Sequence, residues 1–217
     1  MTEQKIKRKR RVKVGIDRFY YGKLGDDDNA TSVNWLPGAT EAKIEMKKES
    51  EGFAADNDPN YVLLQGGTET TADFTVAVFA PEDKVNLFGY TYERGMEIVK
   101  ETSTPNNVAM LFRVLYSDGS YGWIGLYKGQ MTYNGVELKT KESKAEAQTD
   151  SMTGNFSARG DDQKIMVAIT EDHEEFNIEN LFKELFGMVP TDDLPTTTTT
   201  TSTTTKPTTT TTTTTTA

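Results

Sequence analysis

The run Val108-Ala-Met-Leu-Phe-Arg-Val-Leu-Tyr116, then Ser117-Asp-Gly-Ser120, then Tyr121-Gly-Trp-Ile-Gly-Leu-Tyr-Lys128 decides how this chain folds. Two apolar segments rich in β-branched and aromatic residues flank Asp118-Gly119. That pattern predicts a hairpin with a two-residue type I′ turn, in which both central residues have φ > 0. On the first strand Met110, Phe112, Val114 and Tyr116 share one face, and Ala109, Leu111 and Leu115 share the other with Arg113. A strand apolar on both faces is covered on both sides. The hairpin therefore belongs at the middle of a packed antiparallel β domain, with the weaker strands added around it.

Working towards the N-terminus, Thr68 to Phe79 reads as a long strand with Phe74, Val76 and Val78 on one face, and Tyr61 to Gln65 as a short one. Gly66-Gly67 separates them, and 51–59 reads as a long connection. In 39–51 the apolar Ala42, Ile44 and Met46 alternate with Glu41, Lys43, Glu45 and Lys47, so one strand face is charged. Pro37-Gly38 is a turn, and 22–34 reads as a polar loop. Val12, Val14 and Ile16 alternate with Lys13, Gly15 and Asp17 as a half-buried strand, which Phe19, Tyr20 and Tyr21 extend.

Pro81-Glu82-Asp83 opens a helix, with proline in the first turn and two acids at the positive end of the dipole, and Gly89 closes it. A turn follows at Arg94-Gly95. Beyond the central hairpin, 130–140 continues as a strand broken at Asn134-Gly135, and 149–158 is expected to pair with 164–170 through Arg159-Gly160-Asp161-Asp162. Asn177 caps a second helix, whose Leu181, Phe182, Leu185 and Phe186 form an apolar stripe at 3.6-residue spacing before Gly187.

Composition narrows the function. Residues 196–217 are almost pure threonine and cannot build a core, so the organisation expected is a basic arm (1–11), one β domain (12–190) and a disordered Thr-rich tail (191–217). The arm carries Lys5, Lys7, Arg8, Lys9, Arg10 and Arg11 on a chain whose net charge is -9, so the body is strongly acidic and repels nucleic acid. The arm is expected to be a leader that orders against another protein subunit. There is no cysteine, no apolar run of membrane-spanning length, and no apolar segment behind the basic N-terminus to suggest a secretory leader.

Catalytic chemistry is hard to place. The single histidine, His173, sits in Glu171-Asp172-His173-Glu174-Glu175, so neither a zinc site nor a nucleophilic triad can be assembled. Asp26-Asp27-Asp28 resembles a calcium loop, but counting from Asp26 the glycine position holds Thr31 and the last position Pro37. A solvated loop is the expectation. Tyr121, Trp123 and Tyr127 line one strand face, as a sugar platform or as core. No enzymatic activity, cofactor or metal is expected.

The order of elements resembles the major tail proteins (tail tube proteins) of long-tailed, non-contractile bacteriophages of Gram-positive hosts. The resemblance is carried by Val14-Gly15 with Tyr20-Tyr21, Leu36-Pro37-Gly38-Ala39, Glu51-Gly52, Ala55-Asp56-Asn57 with Tyr61, and Ala80-Pro81-Glu82-Asp83 with Gly89. It continues through Ala109-Met110-Leu111-Phe112, Leu126-Tyr127-Lys128, Thr140-Lys141-Glu142, Gln148-Thr149 and Asn180-Leu181-Phe182. It implies a mainly β fold, an antiparallel β-sandwich of the tail-tube type with one or two short flanking helices. It also implies a virion structural protein, made in the host cytoplasm, whose hexameric rings stack into the tube for genome delivery. The implied partners are other copies of the chain, the tape-measure protein, and tail-terminator or distal tail proteins. DNA would pass through the lumen without specific binding, and no membrane is involved. Two charged stretches, 39–51 and 137–150, fit a lumen wall, with Glu41, Lys43, Glu45, Lys47, Glu137, Lys139 and Glu146 as lining residues. The alternative is a cell-surface or carbohydrate-binding β-sandwich module on a Thr-rich stalk. Leu194-Pro195-Thr196-Thr197-Thr198 resembles a cell-wall sorting signal, but it lacks the glycine and no apolar anchor follows.

Overall fold

The computed structural model describes residues 10–55, 58–136, 138–140, 147–160 and 162–190. Among them the order of elements is β1 (Lys13–Leu24), β2 (Ala30–Leu36), β3 (Ala39–Ala55), β4 (Asp58–Val76) and α1 (Pro81–Phe88). The small hairpin β5 (Thr91–Glu93) and β6 (Met96–Ile98) comes next, then β7 (Asn107–Tyr116), β8 (Tyr121–Tyr133), β9 (Asp150–Ser157), β10 (Met166–Thr170) and α2 (Ile178–Phe186). Apart from β5 and β6, the strands form one antiparallel sheet in the order β2-β1-β7-β8-β9-β4-β3, with β10 also on β8. The sheet folds over into two layers, as expected of a β-sandwich.

The sequence places β7 and β8 at the centre, and they are there, but their turn differs. The Gly119 N–H donates to the Tyr116 carbonyl at 3.0 Å, and of the turn residues only Gly119 has positive φ, at 79°. This is a type I turn followed by a left-handed glycine, a three-residue loop in place of the predicted type I′ pair. Asp118 keeps ordinary φ because its carboxylate accepts from the Ser120 N–H at 3.1 Å and the Ser120 hydroxyl at 2.5 Å, which fixes the loop.

Both faces of the hairpin are buried. Phe19, Tyr21, Met110, Phe112 and Leu126 face Ala72, Phe74, Val76, Met152 and Phe156 across the sandwich. On the opposite face Tyr20, Ala109, Leu111, Trp123 and Tyr127 lie under Leu181, Phe182, Leu185 and Phe186 of α2. That helix forms as predicted: the Asn177 side chain accepts from the Asn180 N–H at 3.0 Å, and Gly187 takes φ 75°. Helix α1 closes one end of the inner core with Leu87 and Phe88. It is tied there by the Tyr21 hydroxyl, which donates to Asp83 at 2.7 Å. Burial first, and then that bond, raise the Tyr21 hydroxyl well above its ordinary pKa.

Several strand limits differ from the sequence reading. The 22–34 segment is mostly paired, Tyr21 with Asn34 and Lys23 with Ser32, which leaves only a short turn between β1 and β2. Asp28 is engaged in that turn, accepting from the Lys128 ammonium at 2.5 Å and the Gly160 N–H at 3.3 Å, and the Asn29 side chain donates to Asp27 at 3.0 Å. Val12 and Val14 are exposed, and Val78, expected beside Phe74 and Val76, is 66% exposed because β4 ends at Val76. β8 stops at Tyr133, so 134–136 and 138–140 do not continue it.

The predicted pairing of 149–158 with 164–170 does not occur. β9 pairs with 128–133 of β8 and β10 with 122–126, so the two lie end to end along one edge of β8. The excursion between them is closed by the Arg159 N–H donating to the Lys164 carbonyl at 2.9 Å and by the Arg159 guanidinium on Asp162. The reason is burial on different faces. Met152 and Phe156 belong to the inner core, whereas Val167 and Ile169 pack with the cluster under α2. A two-stranded hairpin of β9 and β10 would leave one of these apolar sets in water.

Candidate functional site

Three features of the sheet are left open by the described residues. One is the outer face of the layer formed by β3, β4 and β9. Alternation places Ala72, Phe74 and Val76 inward and Thr71, Asp73 and Thr75 outward on β4. Register then builds polar rows: Glu41 opposite Thr75 and Thr75 opposite Ser151, Lys43 opposite Asp73 and Asp73 opposite Thr153, Glu45 opposite Thr71 and Thr71 opposite Asn155, and Lys47 opposite Glu69. No described element covers this face.

The side chains on it bond to one another. The Lys43 ammonium lies 2.7 Å from Glu45, and Lys47 lies 3.5 Å from the same carboxylate. The Lys43 hydrogen bond holds the Glu45 carboxyl below its ordinary pKa, and the same bond raises the Lys43 ammonium. The Thr153 hydroxyl donates to Asp73 at 2.7 Å, while the Asn134 amide reaches Ser151 at 3.2 Å and Thr153 at 3.1 Å. Glu41, Glu45, Glu69 and Asp73 stand against Lys43 and Lys47, so the face is charge-dense and mildly negative.

The second feature is the reach of β3 and β4. Pairing of β4 with β9 covers 70–76, yet β3 and β4 stay paired to Ala55 opposite Asp58. At ~3.3 Å per residue, the part of β4 beyond β9 extends for about 40 Å. The sequence reading predicts a long connection here and a break at Gly66-Gly67. The strands instead run on, and the register shift between Lys48 and Ser50 opposite Thr68 and Gln65 makes the glycine pair a bulge. At the root of this arm Met46 is 46% exposed, and along it Tyr61 and Val62 are 56% and 44% exposed.

The third is the pair of sheet ends. β2 and β3 terminate the strand order, and no described strand pairs with the outer edge of either. An unpaired edge leaves backbone donors and acceptors available to another chain.

The residues named from sequence divide accordingly. Glu41, Lys43, Glu45 and Lys47 fall together on the polar face. Lys139 lies outside any strand, and Glu137 and Glu146 lie outside the described residues, so 137–150 supplies no described strand before Asp150. Asp73, Glu69, Thr153 and Asn134 complete the face; the alternation Glu69-Thr71-Asp73-Thr75 already marked the polar side of β4. The aromatic row is core. Trp123 and Tyr127 are 1% and 2% exposed, and Tyr121 lies under the Arg113 guanidinium at 4.1 Å. The Tyr127 hydroxyl donates to Glu184 at 3.1 Å, and burial together with that bond pushes its pKa up to about 12. His173 accepts at Nδ1 from the Glu175 N–H at 3.2 Å. Of the basic arm, Lys5, Lys7, Arg8 and Lys9 lie outside the described residues and Arg10 is exposed. Arg11 is bound to the body, donating to Ser120 at 2.9 Å and Asp172 at 3.2 Å over the Tyr116 ring. Among the described residues no cluster of His, Asp and Glu is arranged to hold a metal ion.

Comparison with known proteins supplies a family. A family model described as phage tail tube protein matches residues 38–194. No curated protein sequence matches the chain. Among solved structures, a cryo-electron microscopy structure of the tube-terminating cap of an anti-feeding prophage aligns with 78% of this chain and 99% of its own. The identity is 12% and the TM-score 0.42, a likeness too distant to define the fold.

Proposed function

The chain belongs to the phage tail tube protein family, and from that premise we propose that six copies form a ring and that rings stack into the conduit for genome delivery. The carrying observation is the sheet itself: among the described residues its two end strands have unpaired outer edges and one charged face is uncovered. Joining copies edge to edge extends the sheet around a ring and removes the free edges. The uncovered face of β3, β4 and β9 then becomes the lumen wall, with Glu41, Lys43, Glu45, Lys47 and Asp73 towards the passing DNA. Such a wall is wet and slightly negative, so a polyanion finds no binding minimum on it and slides.

In this reading the β3–β4 arm reaches the adjacent ring. A stacked contact of that kind is heterologous, so growth continues until another protein caps it. The tape-measure and the terminator or distal tail proteins are the partners that fit. A long, non-contractile tail on a phage of a Gram-positive host completes the proposal, and the role is structural rather than enzymatic.

The test is electron microscopy of the purified protein at rising concentration, with sixfold rings or open tubes expected. A chain that stays monomeric alone and with its tape-measure protein overturns the reading. Replacing Glu41, Glu45 and Asp73 with Lys tests the lumen: tubes should still form, and virions carrying them should deliver their genome slowly and with salt dependence. Unchanged delivery through intact tubes places this face outside.

A further inference from the structure

Strand β1 carries a bulge at Arg18. Its register with β7 shifts between Asp17 opposite Arg113 and Phe19 opposite Phe112, so Arg18 has no opposite residue. The bulge has a packing cause. Ile16 and Phe19 both pack with the inner core, and strict alternation would place them on opposite faces. Arg18 takes φ 51°, the left-handed region, where a Cβ crowds the following carbonyl and glycine is free of that penalty. Packing explains the bulge and the backbone conformation, but not the side chain. A glycine would serve the fold better.

The guanidinium is also idle. Arg11, Arg113 and Arg159 are each bound to carboxylates, whereas Arg18 makes no hydrogen bond or ion pair with any described residue. It is half-buried in a cleft of about 430 Å³ beside Trp35, Gly38 and Ala39, with Trp35 46% exposed. This is the corner where β2 ends and the chain crosses at Gly38 into β3, beside both unpaired edges. Left-handed strain at a residue with no partner among the described residues points outward, to something that binds it.

We infer that Arg18 is a docking residue for a second copy of this chain, its guanidinium taking a carboxylate from the neighbour while Trp35 packs against the same strand. Charge complementarity suits that occupant. The sequence has 33 acidic against 24 basic side chains. Glu93, Glu101 and Glu174 are among the exposed carboxylates with no cation bound among the described residues. The inference deepens the ring proposal and rests on it for the identity of the partner.

The test compares R18G, R18K and R18E with the wild type, by thermal unfolding at low concentration and by sedimentation velocity with electron microscopy at high concentration. R18G should raise the unfolding midpoint of the monomer by a few degrees and weaken self-association at least tenfold, two effects of opposite sign. R18K should lie between R18G and wild type in association, and R18E should abolish association at low salt. R18G that associates like wild type overturns the inference, and so does R18G that loses stability and association together, since that marks a merely structural residue. Wild-type rings with unaffected R18G sink the Arg18 role alone. Wild-type association without rings, weakened by R18G, sinks the ring alone, and a wild type that remains monomeric sinks both.

Discussion

The two long hairpins of this molecule are built on the same alternation and treated in opposite ways. β7 and β8 are covered on both faces, by β4 and β9 on one side and α2 on the other. β3 and β4 share in that core only as far as Thr70, then run on with no third strand beside them among the described residues. An isolated two-stranded hairpin is marginal in water. The difference separates the part of the sheet stabilised by burial within the chain from the part that the ring proposal assigns to a neighbouring copy. Central pairs are stabilised by burial within one copy, while the arm presents backbone edges and exposed Tyr61 and Val62 that no described element buries.

That contrast can be broken most sharply at Trp123. Its ring is buried against Tyr20 and Phe182, and its Nε1 donates to Glu171 at 2.8 Å. Trp123→Ala should cost the monomer about 3–5 kcal/mol, read as a lower midpoint in denaturant titration. A loss below that of an ordinary surface substitution would show that the face under α2 contributes little.

The junction between the two regimes gives a change of opposite sign. Thr70 is 0% exposed and is the residue of β4 opposite Phe156, yet its hydroxyl oxygen has no hydrogen-bond partner. Burying an unpaired hydroxyl costs about 1–3 kcal/mol in protein terms. Thr70→Val keeps the shape and removes the orphan oxygen, so stability should rise by about 1 kcal/mol in the same titration. A destabilised variant would mean that the hydroxyl is satisfied in solution.

The smallest effect on the monomer belongs to the arm. Tyr61→Ala should change monomer stability by no more than about 0.5 kcal/mol, because the residue is exposed and belongs to neither core cluster of the described residues. Its effect should appear in assembly, as a raised concentration for tube formation by light scattering. Equal losses in Tyr61→Ala and Trp123→Ala monomers would erase the distinction between the hairpins.

What was legible in the sequence is what neighbours along the chain decide. Both helices could be read because their caps and stripes are local: Pro81 and Gly89 bound one, Asn177 and Gly187 the other. The Arg94-Gly95 turn likewise followed from its own residues, which both take positive φ. The charged face of β3 was visible as a period of two, and its four charged residues do share a face.

Tertiary structure alone decided which strand lies beside which, because antiparallel pairing joins residues far apart in sequence and local preference does not choose among partners. Sequence proximity suggested joining β9 to β10, but the need to bury Met152 in one core and Ile169 in the other laid both along β8. The bulges at Arg18 and at Gly66-Gly67 exist to keep apolar residues facing a core, or a strand in register with its partner, and both conditions are set by the opposite strand. Asp73 and Thr153 joined the polar face for the same reason. Alternation says that a residue points outward, and only the register of the sheet says what stands beside it.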